Sequence, residues 1–521
     1  MKAFLMYPDQ DFHLGQDLPP NEADLTSDLE LNVLLRVMAD GDKFLFDTAR
    51  LGLHSCITSP EEIAYRQHVL ADCIAQPGVV RELYDVTVEA ITGEKKVLGW
   101  LFRDSPETIV HRTRQLMQIY VDMFRRLRGI ADTRAAGFRS GGFTRFFAML
   151  SKELGDDYLA EVEAHIDELA FRRGRLISAA LGKGNKGAGY MVRRQPEQSW
   201  RDRIPGMNKN RSGYSFYIAE RDESGMRTLS DLASRGLSGA ANALAQSADH
   251  IRSFFEMVRA ELGFYLGCLN LRDRLTAAGQ PVCFPDPIGP SPSGAEQARM
   301  SARGLYDASL ALSLSETRAV GNDLDADGKQ LIMITGANQG GKSTFLRSVG
   351  LAQLMMQSGM FTAATALRAS VGPGLFTHFK REEDASMTSG KLDEELARMS
   401  AVTAQITPGS VLLCNESFAS TNEREGSQIA RQIVRALRGA GIRVFFVTHL
   451  YDLARGFHAE PGPGALFLRA QRQPDGRRTF RLIPGEPLPT SHGEDVYAEV
   501  FGTLAGAAPS PPPAAPGGDP R

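Results

Sequence analysis

A glycine-rich segment between a strand pattern and a helix pattern constrains this chain more than any other feature. The segment runs from Gly336 to Thr344 and reads GANQGGKST. It follows the apolar run Leu331–Ile334 and precedes an amphipathic stretch from Phe345 to Met356. This is the strand–loop–helix order and the G-x-x-x-x-G-K-S spacing of a P-loop. The sequence therefore predicts a phosphate-binding loop on an α/β sheet.

The residue types in this loop fit a nucleoside triphosphate. Backbone N–H groups of a P-loop surround phosphate oxygens, and the helix N-terminus adds partial positive charge. Lys342 is expected to reach the β- and γ-phosphates, and the Ser343 hydroxyl to ligate Mg²⁺. The expected cofactors are ATP or ADP and Mg²⁺. The predicted nucleotide-binding residues in the loop are Gly336, Asn338, Gly340, Gly341, Lys342, Ser343 and Thr344.

Two further strand patterns end in polar residues that suit ATP hydrolysis. Val411–Cys414 is followed by Asn415 and Glu416, and an acidic residue after such a strand can orient the attacking water. Glu416 is the candidate for that role, the alternative being a helix cap or surface carboxylate. Asn415 stands where an aspartate usually supports Mg²⁺, which predicts weaker metal binding and slower turnover. His449 follows another apolar strand pattern and is a candidate γ-phosphate sensor, the alternative being an inert histidine.

Composition excludes several classes of protein. The chain has 521 residues, enough for two to four domains, and a formal net charge of −3, so any nucleic-acid-binding surface must be a local patch. Its five cysteines form no C-x-x-C pair, which argues against structural zinc. The first residues do not resemble a signal peptide, and no apolar run approaches the roughly 18 residues needed to span a bilayer. We expect a cytoplasmic protein, associated with the nucleoid if it binds DNA.

The pattern changes along the chain from helical to alternating strand and helix. Helical spacing covers Asp28–Met38, Pro60–Ile74, Glu107–Arg128, Thr144–Ala180 and Thr228–Arg274. Strand patterns at Leu331–Ile334, Val411–Glu416, Arg443–Thr448 and Leu466–Ala470 predict a largely parallel sheet. The predicted domains are a helical region at 1–110, a second helical region at 111–300 with an insert near 182–227, an ATPase domain at 301–504 and a disordered tail at 505–521. A Pro-rich linker is predicted at 280–294.

The segment from Gly182 to Arg211 is glycine-rich and basic, and it interrupts the helical pattern. Its cations can neutralise DNA phosphates, and Tyr190 and Trp200 can stack on bases. The alternative is a flexible, solvated loop. The candidate DNA-binding residues are Lys183, Lys186, Arg193, Arg194, Arg201, Arg203, Lys209 and Arg211.

In their order and spacing, these motifs resemble the ATPase domain of the MutS family of DNA mismatch-repair proteins. The family's P-loop reads GPNMGGKST, from which this chain departs at Ala337 and Gln339. The family's DExGRGTSTxDG stretch corresponds to Asn415–Gly426, where Glu416, Thr421 and Gly426 match and Glu425 stands for the aspartate. The remaining counterparts are Asn322-Asp323 for an upstream N-D, Thr448-His449 for T-H, and Ser491-His492-Gly493 for S-Y-G.

The resemblance implies an ABC-type P-loop NTPase domain preceded by a mostly helical core and lever region. It implies nucleotide binding by Asn322 and a homodimer whose sites are completed by the partner, through a loop that here contains Ser389-Gly390-Lys391 with Glu395 downstream. No counterpart of the family's mismatch-reading N-terminal wedge is recognised, so a short MutS-like member is expected. Its implied function is ATP binding and slow hydrolysis coupled to clamping of DNA in mismatch repair or a related pathway.

Two other functions remain open at this point. The first is a nucleotide-binding scaffold with negligible hydrolysis, because Asn415 lacks the charge of an aspartate. The second is an ABC-type mechanical ATPase that acts on protein partners without DNA.

Overall fold

The computed structural model describes residues 1–98, 105–172, 174–195, 214, 216–289, 298–314, 317–337, 339–381, 390–462, 464–473 and 478–488. The chain divides into two compact units. The first comprises Met1–Asp17, Leu35–Gly52 and Ala64–Leu271, and the second comprises Leu18–Leu34, Leu53–Ile63 and Arg272–Arg521. Two short segments near the N-terminus therefore belong to the same unit as the P-loop.

Helices dominate the chain before residue 280. They are α1 (Glu22–Asp28), α2 (Leu31–Ala39), α3 (Lys43–Leu53), α4 (Pro60–Ala75), α5 (Pro77–Leu98), α6 (Pro106–Arg134), α7 (Gly141–Glu153), α8 (Asp156–Glu168) and α9 (Glu223–Ala277). Helix α6 begins where Ser105 Oγ accepts a hydrogen bond from Thr108 N at 3.2 Å, with proline at its first position. No helix among the described residues is long and apolar enough to cross a membrane.

Most helices predicted from apolar periodicity are confirmed. The patterns Glu107–Arg128 and Thr228–Arg274 lie inside α6 and α9. The pattern that begins at Asp28 is wrong at its start, because Asp28 ends α1 and α2 begins only at Leu31. Between them Glu30 has φ +54°, a left-handed backbone that interrupts a continuous helix.

The helical patterns predicted from Thr144 to Ala180 are wrong over the last residues of this range. Helix α8 ends at Glu168, and the chain then forms strand β1 (Leu176–Leu181). Gly174, with φ +84°, lies between the two elements and separates the helical from the extended backbone. Strand β1 pairs antiparallel with β2 (Gly187–Arg193), a contact that the local pattern does not encode.

The turn of this hairpin lies in the basic segment that is predicted to contact DNA, for which a flexible loop was the alternative. Gly182 N donates to Lys186 O at 2.7 Å, closing the turn. Gly184 and Asn185 have φ of +69° and +58°, values that glycine and asparagine tolerate better than other residues. The basic segment is therefore partly a β-hairpin, and its residues 196–213 lie outside the described residues.

The second unit contains the α/β part of the chain. Its strands are β3 (Asp286–Ile288), β4 (Met300–Leu305), β5 (Asn322–Asp325), β6 (Leu331–Thr335), β7 (Ala366–Ser370), β8 (Leu375–Phe379), β9 (Val411–Asn415), β10 (Arg443–Val447), β11 (Ala465–Arg472) and β12 (Arg478–Pro484). Its helices are α10 (Ala308–Ser313), α11 (Lys342–Gln357), α12 (Lys391–Gln405), α13 (Glu423–Gly439) and α14 (Tyr451–Ala459).

Within the described residues, two sheets are formed in this unit. The main sheet has the order β12-β11-β6-β10-β9-β8, and only β12 runs antiparallel to its neighbour. The prediction of a largely parallel sheet is thus confirmed. The second sheet has the order β3-β7-β4-β5 and was not predicted. Its strand β3 lies in the expected Pro-rich linker, and a strand of three residues is too short to produce an alternating pattern.

The main sheet brings the three polar strand ends together. Val447 of β10 is in register with Ile334 of β6 on one side and with Asn415 of β9 on the other. All residues of β6 and β10 are buried, which explains the apolar runs Leu331–Ile334 and Val444–Val447. The segments that follow β6, β9 and β10 therefore emerge side by side at the carboxyl edge of the sheet.

Candidate nucleotide site

The P-loop connects β6 to α11 through residues that require glycine. Gly336 and Gly341 have φ of +118° and +87°. At Gly340 a Cβ would lie 2.8 Å from the Ala470 Cβ, a distance that real Cβ atoms do not tolerate. Strand β11 therefore packs directly on the loop and selects glycine at this position. Asn338, predicted to bind nucleotide, lies outside the described residues.

Lys342 is the first residue of α11, and its side chain folds back over the loop. Its Nζ donates hydrogen bonds to Gly336 O and Ala337 O, both at 2.9 Å. The residue is 4% exposed, and this burial lowers the pKa of Lys342 to about 8, opposed by the nearby charge of Glu416. The ammonium is thus held by carbonyl groups of the same loop that is predicted to surround phosphates.

Ser343 contacts the residue that replaces the expected aspartate. Ser343 Oγ donates a hydrogen bond to Asn415 Oδ1 at 2.9 Å. An aspartate would accept the same hydrogen bond, so Asn415 retains the orienting contact and lacks only the negative charge. This contact orients the Ser343 hydroxyl so that its lone pairs stay available for a metal ion.

Glu416 and His449 form a pair at the ends of β9 and β10. His449 Nε2 donates to Glu416 Oε1 at 2.7 Å, and both side chains are half-buried. This hydrogen bond holds the pKa of Glu416 below its ordinary value, against the opposing effect of burial. Glu416 has φ +55° and donates its N–H to Val447 O at 2.9 Å, which ties its backbone to β10. The carboxylate is therefore ionised and fixed in direction.

Asn322, on β5, supports the wall of the site from a distant part of the chain. Its Nδ2 donates to Phe480 O at 3.2 Å, and its Oδ1 accepts a hydrogen bond from Leu482 N at 2.7 Å. Both polar atoms of the amide thus hold strand β12, whose Phe480 O would lie 3.3 Å from a Cβ at Gly341. This geometry indicates that Asn322 shapes the site by anchoring the strand beside the P-loop.

A cavity of about 780 Å³ joins most of these residues. Its polar and charged lining includes Asn322, Gly340, Gly341, Lys342, Ser343, Thr344, Glu416 and His449, together with Asp307, Arg318 and Gln339. Its apolar lining includes Leu305, Tyr306, Leu310, Leu314, Val320, Phe345 and Phe480. A cavity that combines charged groups with apolar side chains suits a nucleotide. The apolar lining was missed by sequence reasoning, because its residues follow no motif and come from separate segments.

The described candidate DNA-binding residues all lie on or beside the β1–β2 hairpin. Lys183 and Lys186 are exposed in its turn. Arg193 Nε donates to Ser178 Oγ at 2.9 Å, and Arg194 forms an ion pair with Glu168 at 2.7 Å, so these two cations are engaged locally. The remaining candidates, Arg201, Arg203, Lys209 and Arg211, lie outside the described residues.

Two family models match the chain. One, described as the MutS2 N-terminal domain, matches residues 58–278, and the other, described as MutS domain V, matches residues 332–496. The second match contains most of the cavity's polar residues. The first covers the helical region, where the motifs in the sequence gave little guidance.

Curated relatives match about a quarter to a third of the chain. The chain is 34% identical over 139 residues to the DNA mismatch repair protein MutS of Chloroflexus aurantiacus, covering 26% of this chain and 14% of that protein. It is 33% identical over 173 residues to the DNA mismatch repair protein MutS of Porphyromonas gingivalis, covering 32% of this chain and 19% of that protein. It is 28% identical over 183 residues to that of Thermus aquaticus, covering 35% and 22%. The aligned parts thus span less than a quarter of each of these relatives.

Proposed function

Since this chain belongs to the MutS family, we propose that it is a MutS-like ATPase that couples ATP binding and slow hydrolysis to the clamping of DNA. It would act in mismatch repair or a related repair or recombination role, in the cytoplasm and on the nucleoid. The observation that carries this proposal is the cavity in which Lys342, Ser343, Glu416 and His449 meet. The order of strands, with β10 between β6 and β9, supports an ABC-type arrangement of the ATPase domain.

The residues of the P-loop fit the phosphates of ATP. Lys342 already makes two hydrogen bonds to carbonyl oxygens, and phosphate oxygens can replace them without moving the ammonium far. The Ser343 hydroxyl, oriented by Asn415, fits a Mg²⁺ ion, with Asn415 able to hydrogen-bond a water on that ion. When bound, Mg²⁺ supplies positive charge that stabilises the transferring phosphoryl group. Asn415 adds no negative charge to retain the ion, which supports slow turnover.

Glu416 and His449 have different proposed roles in ATP hydrolysis. A carboxylate whose pKa is lowered is a weak base, so Glu416 orients the attacking water and stabilises positive charge on it. His449 donates to Glu416 and lies in the same cavity as Lys342. Transfer of this hydrogen bond to the γ-phosphate would report whether that phosphate is present.

DNA binding and dimerisation extend the proposal beyond this cavity. The MutS family membership and the exposed Lys183 and Lys186 support contact with DNA phosphates, which would be largely independent of sequence. We further propose a homodimer in which each subunit completes the nucleotide site of its partner. Hydrolysis would then change the dimer contacts, and this change would alter how tightly the protein binds DNA.

Substitution of Lys342 by alanine tests the nucleotide site. Lys342→Ala removes the cation that would face the phosphates, so we expect ATP binding to be lost in titration calorimetry while the thermal unfolding of the protein is retained. Unchanged affinity for ATP in this variant would contradict the proposal.

DNA binding is tested separately, by a gel-shift panel of duplex, mismatched and branched DNA with ADP and with a non-hydrolysable ATP analogue.

Asn415 favours one alternative, a nucleotide-binding scaffold with negligible hydrolysis. A scaffold would bind ATP in a Lys342-dependent manner and release no phosphate above the rate of the Lys342→Ala variant, with or without DNA. Phosphate release above that rate would exclude the scaffold. ATP hydrolysis without any DNA binding at moderate salt would instead favour a mechanical ATPase that acts on protein partners.

A further inference from the structure

A buried polar cluster lies directly behind Glu416 and outside the nucleotide cavity. We call it the His378 cluster, and it consists of His378 on β8, Glu395 on α12, and Ser417 and Ser420 in the segment after β9. His378 Nδ1 lies 2.7 Å from Ser417 Oγ, and His378 Nε2 lies 3.0 Å from Glu395 O. Ser420 Oγ donates to Glu395 Oε1 at 3.0 Å. Three separate elements thus meet at the segment that carries the proposed catalytic carboxylate.

The chemistry of the imidazole determines the direction of these hydrogen bonds. A carbonyl oxygen only accepts, so His378 Nε2 carries the proton that it donates to Glu395 O. Burial lowers the pKa of His378 to about 4, so the ring is neutral and Nδ1 is an acceptor. Ser417 Oγ lies 2.7 Å from both His378 Nδ1 and the His378 carbonyl oxygen, and its single proton is donated to one of these two acceptors. His378 therefore contacts α12 through Nε2, and it contacts the residue after Glu416 through Nδ1 and its own carbonyl oxygen.

The segment held by this cluster has an unfavourable backbone. Glu416 and Phe418 both have φ in the left-handed region, +55° and +64°, although neither is glycine. Such backbones persist only where surrounding contacts impose them. Phe418 is fully buried and its ring stacks on His378 with centroids 5.4 Å apart, while the hydroxyls on either side of it bond to His378 and Glu395. The cluster therefore supplies the contacts that this conformation requires.

We propose that His378 and Glu395 are positioning residues for Glu416. They hold Ser417 and Ser420, and through them fix the left-handed turn that points the Glu416 carboxylate into the nucleotide cavity. Because Glu395 belongs to α12, the position of α12 is then coupled to the alignment of Glu416. This role rests on the proposed function, since it assigns Glu416 to the orientation of water.

Ser417→Ala tests this inference against Ser427→Ala as a matched control. Ser427 is also a buried serine in the same unit, and its hydroxyl has no hydrogen-bond partner among the described residues. We expect Ser417→Ala to lower kcat for ATP roughly ten- to a hundredfold, with KM changed less than about twofold, because misdirection of the carboxylate affects the chemical step and not nucleotide binding. Ser427→Ala should leave both values unchanged. Equal kcat values in the two variants would overturn the proposal.

Two variants of Glu395 separate hydrogen bonding from packing. Glu395→Gln keeps the size of the side chain and an oxygen that accepts from Ser420, so kcat should stay within about threefold of the unchanged protein. Glu395→Ala removes the acceptor and should lower kcat as Ser417→Ala does. If both Glu395 variants retain full activity, the carboxylate has no positioning role and the inference fails.

Hydrogen exchange provides a measurement that does not depend on hydrolysis. Because the Glu416 N–H donates to Val447 O, we expect it to exchange slowly in protein prepared without nucleotide. Ser417→Ala should accelerate exchange at residues 416–418 at least tenfold relative to Ser427→Ala. Equal exchange in the two variants overturns the inference, whatever the ATPase rate. Accelerated exchange in a protein that hydrolyses no ATP supports the structural role and contradicts the proposed ATPase instead.

Discussion

Lys342 combines burial with hydrogen bonds to the backbone of its own loop. It is almost fully buried, and both of its hydrogen bonds go to carbonyl groups of its own loop. Burial disfavours the charged form, which is why its pKa falls to about 8. A bound triphosphate would reverse this effect by adding negative charge beside the ammonium. Protonation of Lys342 and nucleotide binding should therefore be linked.

This linkage predicts a pH dependence of nucleotide affinity. Because the pKa of Lys342 is lowered, the ammonium is fully present below about pH 7 and is lost as the pH rises through about 8. Affinity for a non-hydrolysable ATP analogue should be constant below about pH 7 and weaker by about tenfold at about pH 9. Titration calorimetry measures this, and Lys342→Arg is the control, because a guanidinium stays charged throughout. A constant affinity of the lysine form over the same range would contradict the prediction.

Substitution of Asn415 by aspartate is expected to raise the rate of ATP hydrolysis. Its Oδ1 already accepts the hydrogen bond of Ser343, so Asn415→Asp keeps this geometry and adds one negative charge beside the expected metal ion. Turnover should rise by roughly tenfold and saturate at lower Mg²⁺ concentration, as measured by phosphate release. Asn415→Ala, which removes the contact and adds no charge, should lower turnover. A lower rate in the aspartate variant would mean that the amide has another role.

At the scale of elements, α11 is held against the sheet by close packing at Gly350. A Cβ at this position would lie 2.7 Å from Leu413 Cδ1 and 2.8 Å from Leu29 Cδ2. Leu413 lies on β9 and Leu29 follows α1, so the glycine lets two other elements approach the helix that begins with Lys342. The direction of the P-loop helix therefore depends on a residue that no P-loop motif includes.

Gly350→Ala should destabilise the protein even though alanine favours helix. Overpacking against Leu413 and Leu29 should lower the free energy of unfolding by about 1–3 kcal/mol. Gly439→Ala is the matched control, because a Cβ at this last residue of α13 meets nothing within 4 Å. That control should be neutral or raise stability by up to ~1 kcal/mol. Urea unfolding measures both, and equal midpoints would contradict the packing interpretation.

The β1–β2 hairpin illustrates the limit of periodicity at this scale. Leu176–Leu181 reads LISAAL, which fits a helix as well as a strand. In the structure Ile177 packs against α9 at Gly236, where a Cβ would lie 2.8 Å from Ile177 Cδ1. Pairing with β2 and packing against α9 stabilise this segment as a strand. Neither partner is adjacent in sequence, so the local pattern could not distinguish the two outcomes.

At the scale of the whole molecule, the proposed DNA contact can be tested at the hairpin turn, where Lys183 and Lys186 are exposed while Arg193 and Arg194 are engaged locally. Neutralising both exposed lysines with Lys183→Gln and Lys186→Gln should weaken DNA binding without changing sequence preference. The slope of log Kd against log salt should fall by roughly two, one for each lost phosphate contact. Fluorescence anisotropy at several salt concentrations measures this slope.

Lys95 and Lys96 offer a matched control for this prediction. They are also two exposed lysines of the first unit, on α5. Their replacement by glutamine makes the same change in net charge, so it should leave the salt slope unchanged if the hairpin makes the contact. An equal loss of affinity in both double variants would indicate a general effect of net charge and would contradict a specific role of the hairpin.

The sequence by itself determined the P-loop, the parallel strands around it and the polar residues at their ends. These features are encoded locally, by the spacing of glycines, lysine and serine and by continuous apolar runs in β6, β9 and β10. The roles assigned to Glu416 and His449 stay predictions, but their mutual hydrogen bond follows from the order of the strands.

Only the tertiary structure decided which distant segments complete these motifs. Three contacts join residues that are far apart in sequence. They are the hydrogen bonds of Asn322 to β12, the packing of Ala470 on the P-loop, and the His378 cluster behind Glu416. Hydrogen bonds and close packing of this kind depend on distances that arise after folding. No periodicity or spacing in the chain reports those distances, so these contacts could not be read from the sequence.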